Sequence, residues 1–267
     1  MHIVVCVKQI PNPEIAASQF RVDEQAMKVV PLPGTAWVMS PFDEQALEAA
    51  LRLRDNGMTA RITVMTLGPE SARAALKHGL AMGADDAVLI VDAGLDSGNG
   101  YTTVHVLTAA IRKLGDCDLI LTGRQAADWD SGVVGCGIAE MLMLPVITFA
   151  RSVEAKDGVV RVERVVENGF DVIEAPLPVV VTVSNELGKA RTPTLRETMR
   201  ASRKPVTAWA AADFGIDAAQ LAHDRARRAL QRLFIPVDDN RCEFIAGDTP
   251  QAQAANLVQR MREAKAL

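Results

Sequence analysis

Short β-branched runs alternate with helix-periodic stretches over the first 145 residues, and this alternation limits the chain to a parallel sheet covered by helices. His2 to Val7 (HIVVCV) is a strand, and a Pro-rich excursion from Ile10 to Pro41 follows it. Phe42, Ala46, Leu47, Ala50, Leu51 and Arg54 then recur at helical spacing, with Asp43 and Glu44 in the first turn, where carboxylates suit the helix dipole. Ala60 to Leu67 is the next strand, and Gly68-Pro69 opens a helix over Glu70 to Ala81. Ala87 to Val91, a helix from about Thr102 to Leu114, the strand Asp118 to Thr122 and a helix over Gly132 to Met143 complete a βαβαβαβα series. The expected fold class is α/β, doubly wound and mainly parallel.

From Pro145 the texture changes to Val-rich runs separated by turn residues: Pro145 to Val153, Val159 to Val166, Phe170 to Glu174 and Pro178 to Val183. Their close spacing predicts antiparallel additions to the sheet. We place a nucleotide-binding domain at residues 1–205 and an extended C-terminal arm at 206–267. The arm includes an Ala-rich block, the charged run Asp224 to Arg232 and a helix from about Pro250 to Ala264. It has little apolar patterning of its own and reads as a segment that wraps its own body or a partner chain.

Several classes of function are disfavoured. Lys and Arg total 29 against 33 Asp and Glu, a formal charge of −4 with no basic segment, which argues against a nucleic-acid partner. No apolar run is long enough to span a bilayer, and Lys8 ends the first one before any cleavage site, so direct membrane insertion is not expected and the cytoplasm is the default location. Cys6, Cys117, Cys136 and Cys242 lie far apart without a CxxC, and the four His are equally scattered, so no metal site is expected and the thiols read as small buried or semi-buried residues. No P-loop, GxGxxG, GxSxG or HExxH occurs, and no catalytic set is assigned. Asp128 with Asp130, and Asp85 with Asp86, read as loop charges or caps.

The stretch that carries chemistry is Leu119 to Gly137, LILTGRQAADWDSGVVGCG. A strand ends, Gly123 permits the exit, and a second glycine pair opens a helix, so the N–H groups of Gly132, Val133, Val134 and Gly135 converge where a phosphate would sit. Ligands of open α/β sheets bind at such carboxyl ends. Arg124 suits an anion and Gln125 an adenine edge or ribose. A plain N-cap at Asp130 or Ser131 accounts for the same residues and remains open. Trp129 either stacks on adenine or packs, and packing is the simpler expectation.

The motifs VCVKQIP, SPFDEQALEAALRLRD, TLGPESARAALKHGLAMGADDAVLI, LILTGRQAADWDSGVVG, LPVVVTVSNELGKARTPTLRETMRASRKP and CEFIAGDTPQAQAANLVQRMREAKAL occur in order from end to end. Together they resemble the β subunit of electron transfer flavoproteins. The resemblance implies an adenine nucleotide α-hydrolase-like fold and a heterodimer with an α subunit that carries most of the FAD contacts. This subunit would hold a structural AMP and complete the flavin pocket. Electrons would arrive from acyl-CoA or related flavin dehydrogenases, as in fatty acid oxidation, and leave to a quinone oxidoreductase or another acceptor. The implied AMP site falls on Cys6, Ser40, Pro41, Phe42, Asp43 and Leu67, and on Gly123, Arg124, Gln125, Ala126, Ala127, Asp128, Trp129, Asp130, Ser131, Gly132, Val133 and Val134. Ser40 stands where the family usually has Asn. The recognition loop, about 184–203, implies Leu195 as an apolar anchor flanked by Arg191 and Arg196. Thr194 with Glu197 also forms a capping-box pattern there.

A bifurcating member holding a second FAD in place of AMP and using NADH is the alternative within the family. The insert Pro31 to Met39 and the small residues of DWDSGVVG would make room for it. Against it, SPFDEQALE resembles the simple carrier form, and Ile10-Pro11-Asn12-Pro13 stands where the bifurcating pattern reads Val-Pro-Asp-Thr. A stand-alone adenine-nucleotide-binding protein, or a hydrolase of such a nucleotide, is the reading of another class.

Overall fold

The computed structural model describes residues 1–16, 20–93, 95, 99–217, 221, 230–236 and 242–267. Part of the charged run, Asp224 to Ala229, lies outside the described residues. Contacts divide the chain into one unit of residues 1–21 and 29–231 and another of residues 22–28 and 232–267. In chain order the elements are β1 (His2–Cys6), β2 (Gln9–Pro11), β3 (Val22–Asp23), β4 (Lys28–Val29), β5 (Trp37–Met39), α1 (Pro41–Asp55), β6 (Arg61–Leu67), α2 (Arg73–Met82), β7 (Asp86–Ile90) and α3 (Gly100–Leu114). There follow β8 (Leu119–Gly123), α4 (Val134–Leu142), β9 (Val146–Lys156), β10 (Val159–Val166), β11 (Gly169–Pro176), β12 (Val179–Val183), α5 (Leu195–Arg203), β13 (Thr207–Trp209) and α6 (Pro250–Glu263).

Nine strands form one sheet in the order β11-β10-β9-β12-β8-β1-β6-β7-β13. From β1 the chain steps outward through β6 to β7 and then returns to β8 on the other side of β1. Strand order therefore reverses between β1 and β8, which pair in parallel from Ile3↔Leu119 to Cys6↔Thr122. Ligands of such sheets enter at that reversal, outside the carboxyl ends.

The central strands are buried on both faces, so their sequences are continuous apolar runs rather than alternating ones. Ile3, Val5, Leu119, Leu121, Val179 and Val181 pack in one core with Leu47, Leu51, Leu76 and Leu80 of α1 and α2. Val4, Cys6, Ile120 and Val180 pack in the other with Val106, Ile111 and Ile138 of α3 and α4. The period-two alternation of a strand thus divides each run between two helical layers.

The structure revises three expectations. β9, β10 and β11 do form an antiparallel meander, but β12 lies between β8 and β9 and runs parallel to both. All five of its residues are buried, as a central parallel strand requires. β13 joins the sheet edge in parallel with β7, from Thr207↔Val88 to Trp209↔Ile90, so the α/β body continues past residue 205. α4 begins at Val134, not Gly132.

In the second unit, Thr249 caps α6 by accepting from Ala252 N at 3.1 Å, and Pro250 occupies the first turn. No residue of α6 is buried, and Leu257 and Val258 remain exposed.

Candidate functional site: the carboxyl ends of β1 and β8

Ser40 is the residue at the start of α1, and Pro41 follows where a missing N–H does no harm. Asp43 sits in the first turn, but its carboxylate does more than face the helix dipole. Oδ2 accepts from Lys8 N at 2.8 Å and Oδ1 from Gly123 N at 3.1 Å. Lys8 follows β1 and Gly123 ends β8, so one buried carboxylate ties together the two strand exits at the reversal of strand order. Burial pushes the Asp43 carboxyl up to about 7, with nearby Asp128 adding to the rise and the two N–H donors and the Lys8 charge opposing it.

Two further contacts fix the loop that leaves β8. Ser40 Oγ accepts from Ala127 N at 3.3 Å, and Lys8 Nζ pairs with Asp128 Oδ2 at 2.7 Å. Gly123 is required by close approach: a Cβ there would lie 2.6 Å from Asp43 Oδ1 and 2.7 Å from Phe42 Cβ. Arg124 N donates to Val183 O at 2.8 Å, which anchors the start of the loop to the end of β12.

The end of the loop leaves a helix start without a side-chain acceptor. Asp130 Oδ1 accepts from Gln125 Nε2 at 2.8 Å, and neither Asp130 nor Ser131 caps α4. The residue preceding the helix is Val133, whose side chain has no acceptor to offer, and the first intrahelical bond runs from Gly137 N to Val133 O at 2.9 Å. The N–H groups of Val134, Gly135 and Cys136 thus have no earlier carbonyl within the helix. Gly135 seats this first turn on the sheet, since a Cβ would meet Thr182 Cγ2 at 2.6 Å and Thr122 Oγ1 at 2.7 Å. A phosphate fits such a terminus. The buried Arg124 Nε, which has no hydrogen-bond partner, adds a spare donor in the same loop.

The remaining residues of the expected site divide into buried supports and open positions. Cys6 is buried in the α3–α4 core, and burial pushes its thiol far up, so it stays a neutral, apolar group. Leu67 is buried at the end of β6. Trp129 is 47% exposed and is not packed into the core. Ala126 and Ala127 are half-buried, and Asp128 and Gly132 are exposed. Lys8 and Phe149 were missed. Lys8 follows a strand without any phosphate-loop pattern, and Phe149 lies inside an unremarkable strand sequence.

The 184–203 segment forms a second surface. Thr194 and Glu197 make both arms of a capping box, with Thr194 N donating to Glu197 Oε2 at 2.6 Å and Glu197 N donating to Thr194 Oγ1 at 3.3 Å. Leu195 opens α5 and is 77% exposed, and Met199, one turn later on the same face, is 56% exposed. Arg196 is also exposed. Arg191 is committed elsewhere: its Nε meets Glu48 Oε2 at 2.7 Å and its Nη2 meets Asp55 Oδ2 at 2.6 Å. Burial raises the Glu48 carboxyl, but hydrogen bonds from Arg191 and Arg52 outweigh it and hold the group below its ordinary range. Arg191 is therefore the tie between this segment and α1 rather than a free charge beside Leu195.

The profile of the electron transfer flavoprotein domain matches residues 33–214, more than half of the chain, and takes in the 184–203 segment and the site residues from Ser40 onward. The chain belongs to the electron transfer flavoprotein family. It is 37% identical to an electron transfer flavoprotein subunit beta of Clostridium acetobutylicum over 98% of both chains, and 37% identical to one of Megasphaera elsdenii over 88% of both. It is also 34% identical to the caffeyl-CoA reductase-Etf complex subunit CarD of Acetobacterium woodii over 98% of both chains. A FixA protein of Azorhizobium caulinodans is 34% identical over 88% of this chain and 85% of its own. The protein is thus a beta-type subunit with a role in electron transport.

Proposed function

We propose that this chain is the nucleotide-holding partner in a heterodimeric electron transfer flavoprotein, binding AMP at the start of α4 and completing the FAD site of an α subunit. The observation that carries the reading is the helix start without a side-chain acceptor, set on strand ends that Asp43 ties together. Backbone N–H groups of Val134, Gly135 and Cys136 hold the phosphate, and Arg124 adds a cation at the edge. Asp43, Ser40 and Lys8 act on the loop and not on the nucleotide, keeping it at one distance from the sheet. FAD, when bound, supplies the electron storage, and this chain supplies its position.

Leu195 and Met199, with Arg196 beside them, suit a weak and fast-exchanging dock for acyl-CoA or related flavin dehydrogenases. A quinone oxidoreductase or a similar acceptor takes the electrons onward. The exposed apolar positions of α6 suit an arm that packs on the α subunit. No described helix is long and apolar enough to cross a membrane, and the complex is proposed to work in the cytoplasm.

The test is to co-express the chain with an α-type subunit, denature the purified complex and quantify the released cofactors. One AMP and one FAD per heterodimer are expected. Two FAD and no AMP would put the diphosphate of a second flavin at α4 instead, and a complex without flavin would overturn the proposal.

A further inference from the structure

Strand β9 carries an extra residue toward each of its neighbours. Toward β10 it is Arg151, between Ala150 paired with Arg164 and Ser152 paired with Glu163, and toward β12 it lies between Ile147 paired with Val181 and Ala150 paired with Val183. Bulges of this kind bend a strand and re-aim a side chain, and they collect beside functional sites. The one toward β12 holds Phe149 at φ 59°, an outlier for a bulky residue and a conformation that glycine adopts without strain. Phe149 N leaves the ladder and donates to Thr182 Oγ1 at 3.1 Å. The core gains little in return, because the residue is 42% exposed. Strain retained for a half-exposed ring points to a task outside folding.

The neighbours of the ring define its chemistry. The Arg124 guanidinium lies 5.7 Å from the Phe149 ring centroid and 4.9 Å from that of Phe42, within cation–π range of both. Arg124 Nη1 donates to Ser184 Oγ at 3.3 Å, and its buried Nε has no partner. An aromatic face backed by a cation with a spare donor therefore stands at the carboxyl ends of β8 and β12, beside the bulge of β9. It lies across Arg124 from the strand reversal and the Ser40–Asp43 contacts. Such a face suits a flat ring that can take on negative charge, stacking on the phenyl group and drawing on the guanidinium. Adenine offers the flat ring but no charge to pair.

We propose that Phe149, backed by Arg124, is the surface against which the isoalloxazine ring of the shared FAD rests, an inference that depends on the flavoprotein reading above. The test uses the co-expressed heterodimer with Phe149→Gly and Phe149→Tyr. Phe149→Gly raises the FAD dissociation constant about tenfold, near the upper end for one aromatic contact, and shifts the visible flavin absorption. AMP content stays at the wild-type level, and the thermal midpoint in excess FAD is equal or higher because glycine accepts the backbone conformation. Phe149→Tyr keeps the ring and the wild-type affinity. An unchanged FAD affinity and spectrum in Phe149→Gly overturns the proposal. So does loss of AMP with FAD retained, which would make the ring an adenine seat, and so does a lowered midpoint with both cofactors lost, which would make it a packing residue. A wild-type heterodimer without flavin overturns the flavoprotein reading itself, and this inference with it.

Discussion

Asp43→Asn tests whether the tie between β1 and β8 is held by a carboxyl group that prefers its proton. The native pKa lies near 7 against an ordinary 3.8, so the folded state binds the proton more tightly than the unfolded state. Stability from this group is then complete below about pH 4 and is lost as pH rises through about 7. At about 1.4 kcal/mol per tenfold change in affinity, full ionisation costs roughly 4 kcal/mol, more than half of it lost between about pH 5 and pH 8. Asn is neutral throughout, but its NH2 group accepts nothing, whereas the protonated carboxyl keeps acceptor capacity on both oxygens. Either Lys8 N or Gly123 N then faces an NH2 group, at about 1–3 kcal/mol. The variant is therefore less stable than wild type at pH 5 and equals or overtakes it by pH 8. Urea unfolding of both proteins across this range measures the gap, and the difference between them cancels every other titrating group. A gap that stays constant from pH 5 to pH 8 refutes the reasoning, because the two N–H donors and Lys8 would then be keeping Asp43 ionised throughout.

Three other substitutions separate the parts of the site. Gly123→Ala drives a methyl group into Asp43 and the Phe42 backbone and is expected to cost about 1–3 kcal/mol, read as a lowered thermal midpoint together with a fall in bound nucleotide. Leu195→Ala leaves folding and cofactor content unchanged but weakens docking to a flavin dehydrogenase roughly 30-fold, about 2 kcal/mol for one buried leucine, seen as a raised KM for the carrier in a coupled assay. Arg191→Ala loosens the segment before α5 and leaves Glu48 with Arg52 and the backbone N–H of residue 191; the expected loss is about 1–2 kcal/mol after solvent screening, smaller at high salt, and amide exchange at Lys189 and Ala190 should rise.

The parallel half of the fold was legible because each central strand is an uninterrupted apolar run and each helix carries its period. β12 was misread from proximity: it follows β11 after a short turn, which favours a hairpin, yet VVVTV lacks the alternation that an antiparallel strand with one exposed face would show. β13 escaped notice because three residues, Thr207 to Trp209, carry no periodicity. At the site, the phosphate-ready glycines were readable, but the start of α4 was not, since Asp130 looks like a cap until Gln125 is seen to occupy it. Asp43 looked like an ordinary first-turn acid. Its partners lie 35 and 80 residues away, so no local pattern records the tie. Phe149 had no signal at all, because its φ of 59° accompanies the register shift toward β12 and no Gly or Asn in the sequence marks it.

Arg124 is the residue common to both proposed ligands, its guanidinium standing at the edge of the phosphate site and backing the aromatic face, while the nucleotide loop continues from its backbone. Its N–H is held by Val183 O at 2.8 Å, which ties the start of the loop to a central strand. If that tie keeps the backbone fixed, disturbing the ring leaves the loop in place, and the two cofactors bind independently. The pair Ser40→Ala and Phe149→Gly checks this. Ser40→Ala removes the acceptor of Ala127 N and weakens AMP binding, while Phe149→Gly weakens FAD binding. In the double variant each affinity should match that of its single variant within about 0.5 kcal/mol, as for sites without shared movement. A larger interaction energy in equilibrium titrations of the two cofactors would mean that Arg124 shifts as a unit and carries the state of one ligand to the other.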